Sequence, residues 1–242
     1  MSLSLVIKGA DFSANSLGNA FYPHFNKLTA ARFYGSDVPD FTGLKKSNKI
    51  GAKLSGLDSV INSYSLSLPY QSKYSTDLVT SQKMTFCAYV KVPQGATSTS
   101  QGVITSNNTS TGLNPYEGQF LITLSVDTTR ALGKLSVFGD DTGFTTASSL
   151  NAQQDTLMFI VGVMDATSGD IKIRVYSEGT VKESVASGSF NITDGDTIFI
   201  NNYPNEPTTI EYLHTSIFND VLTSTEIDEV FNWVDSYYSD KL

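Results

Sequence analysis

The end of the chain constrains the fold more than any other stretch. Ile210 to Tyr238 reads IEYLHTSIFNDVLTSTEIDEVFNWVDSYY, starting as a strand and finishing as a helix, with a turn at Asn219-Asp220. Thr223 and Glu226 have the spacing of a capping box, in which hydroxyl and carboxylate each accept a hydrogen bond from the other residue's otherwise unpaired backbone N–H. Ile227, Val230, Phe231, Val234 and Tyr238 then recur three and four residues apart, which forms one apolar stripe. A single short amphipathic helix is therefore expected to follow the last strand and dock on a β-rich body.

The body is written in two-residue alternation. In Ser81 to Val92, Phe86, Ala88, Val90 and Val92 share one face, and Thr85, Cys87, Tyr89 and Lys91 the other. Phe120, Ile122, Leu124 and Val126 point inward against Gln119, Thr123, Ser125 and Asp127; Leu135 and Val137 repeat this against Lys134, Ser136 and Phe138. Leu157 to Met164 is apolar on both faces, as a strand covered from both sides must be. After a turn over Asp165 to Asp170, Ile171, Ile173 and Val175 point in, and Lys172, Arg174 and Tyr176 point out. Further strands are expected at Leu3–Lys8, Ile50–Leu54, Tyr64–Leu68, Gly102–Ser106, Thr180–Ser187 and Thr197–Ile200. Phe12 to Asp40 lacks alternation and reads as an irregular segment with turns at Pro23 and Pro39.

Composition narrows the class. Apolar residues make up 40% of the 242, enough for a real core, while charged residues make up only 17%. All-β domains of this length occur as one unit, and no linker-like stretch or fixed-period repeat divides residues 1–242. One domain is expected, with residues 1–44 supplying an N-terminal strand and the irregular segment. A net charge of −8 argues against nucleic acid, whose phosphates need a basic surface. No apolar run approaches the ~18 residues of a membrane span, and MSLSLVIKGADFS lacks the layout of a signal peptide. The lone Cys87 permits no intrachain disulfide and reads as a small buried residue.

Several segments resemble the concanavalin A-like lectin/glucanase superfamily, in particular its laminin-G-like (pentraxin-like) branch. Ile217-Phe218-Asn219-Asp220-Val221-Leu222 with Thr223 to Ile227 is similar to the branch's closing turn and helix, with Asp220 in place of a basic residue. SQKMTFCAYVKV resembles its Thr-containing strand, with Tyr89 where Trp is usual. The hairpin from Leu157 through Tyr176-Ser177-Glu178-Gly179 resembles another family hairpin, with Glu178 where Asn is usual. Ile50 to Tyr74 loosely matches the entry strands. The resemblance implies an all-β, two-sheet antiparallel jelly-roll sandwich with a short C-terminal α-helix. The opening, SLVIKGADFSANSLG, resembles phage and prophage tail-associated proteins with lectin-like modules. That resemblance implies a virion (phage tail) or extracellular location, reached from the bacterial cytoplasm.

Glucanases of this superfamily set catalytic carboxylates at two-residue spacing on a strand, where they share a face. Glu226-Ile227-Asp228-Glu229 begins like that motif, but Phe231 stands where the last Glu belongs. Residues two apart on a helix also diverge by about 200°. No enzyme activity is expected. His24 and His214 are the only histidines, and His214, mid-strand, reads as a hydrogen-bonded sheet residue. Asp140 and Asp141, and the Asp165/Asp170 pair, are calcium-ligand types in loops, although Asp equally favours turns. No other cofactor is implied.

The resemblance points to a non-catalytic carbohydrate-binding protein recognising bacterial surface glycans. Its partners would be a glycan or polysaccharide, other tail or virion proteins, and a second copy of the chain. Sugars are recognised by aromatic surfaces together with amides and carboxylates, and loops on a rigid sandwich carry such sites. The loop candidates are Asn107, Asn108, Tyr116 and Glu117, with Asn201, Asn202 and Tyr203; Arg174 and Tyr176 form a sheet-face alternative. The competing readings are a structural virion protein without sugar binding, and a glycoside hydrolase with an unrecognised site.

Overall fold

The computed structural model describes residues 22–36, 53–55, 60–69, 72–91, 101–106, 120–126, 130–138, 144–153, 155–201 and 209–242. They form two antiparallel sheets and one helix. The first sheet has the spatial order β13 (Thr180–Ser187), β12 (Asp170–Ser177), β11 (Leu157–Asp165), β6 (Lys83–Lys91), β15 (Ile210–Phe218), β4 (Leu66–Leu68), β3 (Val60–Ile61); β1 (Leu28–Phe33) also pairs with β15. The second has the order β10 (Phe144–Gln153), β9 (Arg130–Phe138), β8 (Phe120–Val126), β7 (Gln101–Ser106), β14 (Thr197–Asn201), β5 (Lys73–Val79), β2 (Lys53–Ser55). The chain crosses from β6 to the second sheet for β7–β10, returns for β11–β13, crosses again for β14 and comes back for β15. This is a jelly-roll sandwich, closed by α1 (Ser224–Tyr238).

The inward residues read from the alternation meet between the sheets. Phe86, Ala88 and Val90 pack with Phe120, Ile122, Leu124, Leu135, Val137, Ile160, Ile171, Ile173 and Val175, and the Phe86 and Phe120 rings stack at 4.3 Å. Leu157 to Met164 also behaves as expected, because both faces of β11 are buried. Its second face, with Cys87 and Tyr89 of β6, lies under a third layer made by α1 and the segment from Tyr22 to Phe33. Two neighbouring strands with no solvent face require such a cover, and the helix supplies it with Ile227, Val230, Val234 and Tyr238. Burial pushes the Cys87 thiol up to about 12, as suits an inert core residue.

The irregular segment expected at 12–40 needs correction. Leu28–Phe33 is a strand paired antiparallel with β15, preceded by the expected turn at Pro23. Its register shifts between Leu28 and Ala30, and such a bulge breaks the alternation that would have announced it. β5 and β10 were also silent: β5 pairs across a register shift, and FTTASSLNAQ has little apolar alternation. The expected strand at Leu3–Lys8 and turn at Pro39 lie outside the described residues.

Candidate functional site

The capping box forms as its spacing predicts: Thr223 N–H donates to Glu226 Oε2 at 2.8 Å, and Glu226 N–H to Thr223 Oγ1 at 3.2 Å. Lys27 Nζ adds a contact to Glu226 Oε1 at 2.7 Å. Burial works against the Glu226 carboxylate's charge, but Lys27 and the Thr223 amide outweigh it and hold the group at about 2. Glu226, the first acid of the apparent glucanase motif, is thus spent on starting the helix and tying the Tyr22–Phe33 segment to it. Glu229 reaches His24 Nε2 at 2.9 Å.

The face of β12 read as outward is covered by α1. Arg174 donates from Nε to Tyr176 Oη at 2.7 Å, from Nη1 to Glu183 at 2.9 Å and from Nη2 to Asp228 at 2.6 Å. Burial alone would lower this guanidinium, but those bonds raise it on balance. Tyr176 also donates to Asp228, and its ring stacks on Phe231 at 4.2 Å. Lys172 Nζ meets Ser224 Oγ at 3.0 Å and Glu183 at 3.8 Å. The positive side chains of β12 therefore anchor the helix.

Beside this network is a cleft of about 460 Å³ lined by Tyr89, Thr156, Leu157, Tyr176, Ser177, Glu178, Gly179, Thr180, Val181, Phe231 and Asp235. Strands β6, β11, β12 and β13, the β12–β13 turn and the helix all contribute to it. The helix contributes Phe231 and Asp235, and Tyr89 Oη donates to Asp235 Oδ1 at 2.7 Å. Burial and that carboxylate together push the Tyr89 phenol well above its ordinary value. The β12–β13 connection has two residues, Glu178 (φ 51°) and Gly179 (φ 69°), both left-handed as a type I′ hairpin turn requires. Tyr89 and Tyr176 are almost completely buried, so the accessible apolar lining comes from Phe231, Leu157 and Val181, with hydroxyls and two carboxylates around it.

Among the described residues, Tyr176 is thus the sequence-proposed binding residue that lines the cleft, and Arg174 lies in the network behind it. Asn107, Asn108, Tyr116, Glu117, Asn202 and Tyr203 fall outside the described residues, as do Asp140 and Asp141. Asn201 closes β14, where its backbone pairs with Lys73. Asp165 receives Thr167, Ser168 and Lys83, and Asp170 receives Ser168 and Ser187, so both carboxylates serve the turn. Among the described residues no group of three or more His, Cys, Asp or Glu is placed to hold a metal. His214 is buried in its strand, 2.8 Å from Tyr22 Oη. Reading faces by alternation missed the rest of the cleft, because it joins residues from β6, β11, β12, β13, the hairpin turn and the helix. Of the three departures from the resembled pattern, at Asp220, Tyr89 and Glu178, the last two fall on the cleft and were the available signals.

No family profile and no curated protein matches the chain. Solved structures do match it in fold. The receptor binding domain of botulinum neurotoxin type G superposes with a TM-score of 0.57 at 12% identity, covering 86% of this chain and 51% of that one. A structure of botulinum neurotoxin type C, described as depending for cell entry on two ganglioside molecules, gives 0.52 at 11% identity, covering 73% and 45%. The binding domain of botulinum neurotoxin DC in complex with rat synaptotagmin II gives 0.53 at 10%, covering 73% and 45%. The chain spans about half the length of these structures. At such identities the likeness establishes the sandwich.

Proposed function

We propose that this chain is a non-catalytic, lectin-like module that binds carbohydrate, carried on a phage or prophage tail particle where it meets bacterial surface glycans. One observation carries the sugar reading. The described cleft combines an aromatic and aliphatic lining with hydroxyls and carboxylates, the mixture that packs against the C–H face of a sugar and bonds its hydroxyls. The fold neighbours support it, since one depends on two ganglioside molecules for cell entry and another is a receptor binding domain. The tail location rests on the N-terminal resemblance.

The test is a glycan array, followed by binding measurements on two sets of variants. Loss on Phe231→Ala with retention on Tyr116→Ala and Tyr203→Ala assigns the sugar to the cleft. The reverse assigns it to the loops with Asn107, Asn108, Glu117, Asn201 and Asn202. An array without a hit favours a purely structural virion protein, and sugar release from host polysaccharide would overturn the non-catalytic reading.

A further inference from the structure

The charge around the cleft selects among sugars, and this inference rests on the carbohydrate reading above. Among the described residues two acidic ones line the cleft, Glu178 and Asp235, and no Lys or Arg does. Asp235 uses Oδ1 to accept from Tyr89; its second oxygen and the Glu178 carboxylate have no partner among the described residues. Three cations on β6 and β12 are already engaged. Arg174 spends its donors on Tyr176, Glu183 and Asp228, Lys172 meets Ser224 and Glu183, and Lys91 pairs with Asp155 at 3.0 Å. An acidic sugar would therefore bring its carboxylate toward two carboxylates with no free cation lining the site. A cationic sugar would find both charges uncompensated, above an apolar lining that suits a pyranose ring.

We infer that the cleft is a subsite for an amino sugar with a free ammonium group, bound between the carboxylates of Glu178 and Asp235 with its ring against Phe231. The turn adds an independent feature. Glu178 occupies a left-handed position that Asn, Asp or Gly fills at less cost, so the longer Glu stands where turn chemistry prefers a shorter residue. Glu178→Asn therefore removes the charge while relaxing the backbone, giving a variant expected to melt at or above the parent.

The measurement is isothermal titration calorimetry with a glucosamine tetramer, its N-acetylated counterpart and a tetragalacturonate, at a mildly acidic pH where the sugar amines carry a proton. The glucosamine tetramer should bind about tenfold more tightly than the N-acetylated one, and tetragalacturonate most weakly. Glu178→Asn and Asp235→Asn should each cut most of that preference, and added salt should erase it. Equal binding of the charged and N-acetylated tetramers, or a preference that survives both substitutions, overturns the inference and leaves the carbohydrate reading standing. No binding by these three probes, combined with an array without a hit, overturns both.

Discussion

Acid should destabilise this protein through His214. The ring is fully buried, with Phe33 at 4.4 Å and Tyr22 at 5.7 Å between ring centres. Burial lowers it from 6.5 to about 3, although a contact with the Arg32 backbone works slightly the other way. Above pH 6.5 neither the folded nor the unfolded chain protonates this group, and its contribution to stability is complete. Below 6.5 the unfolded chain takes up a proton that the folded state refuses, so stability falls by about 1.4 kcal/mol per pH unit until the folded value is reached. Between about pH 6.5 and 4.5 the loss assigned to His214 is about 2–3 kcal/mol. Glu226 does not enter this window, because a carboxylate held at about 2 loses its contribution only as pH falls from about 4.5 toward that value.

The assay is urea unfolding of the parent and of His214→Gln at about pH 7 and about pH 4.5, using the difference between the two proteins so that all other groups cancel. Tyr22 Oη donates its one proton to Ser216 Oγ at 2.8 Å and so accepts from His214 Nε2, and the side-chain amide N–H of Gln offers a donor in its place. The parent should lose about 2–3 kcal/mol more than the variant on acidification. Equal losses would show that His214 accepts a proton in the folded state, and that the polar group of Tyr22, His214 and Ser216 tolerates charge.

Three further outcomes can be measured. Phe231→Ala should cost about 2–3 kcal/mol in denaturant melts, below the ~3–5 of a fully buried Phe; the ring is only partly buried, though stacked on Tyr176 and 5.5 Å from Phe159. A loss under about 1 kcal/mol would contradict the helix as part of the core. Thr223→Ala should cost about 1 kcal/mol by leaving the Glu226 amide without its cap, readable as a shift in urea midpoint at unchanged slope. Glu226→Gln should leave sugar release undetectable, as in the parent, and flatten the stability loss below about pH 4.5; release from the parent that disappears in this variant would make Glu226 catalytic.

The local rules sufficed wherever one element carried its own periodicity. The cap at Thr223, the stripe through Ile227 and Val234, the strand from Thr180 to Ser187 and the two-faced burial of Leu157 to Met164 all follow from spacing alone, because each depends on neighbours within a few residues. Alternation also separated Ile173 from Arg174 correctly, but it says only that the two point to opposite faces. Whether Arg174 meets water or a helix depends on where α1, some fifty residues later in the chain, comes to lie. Leu28–Phe33 was hidden because a bulge interrupts the period through which a strand shows itself. The cleft is decided entirely at the tertiary level: Tyr89, Glu178 and Phe231 come from three distant parts of the chain. No local preference links them; the sandwich and the docked helix bring them together because β6 and β11 have no face they can leave in water.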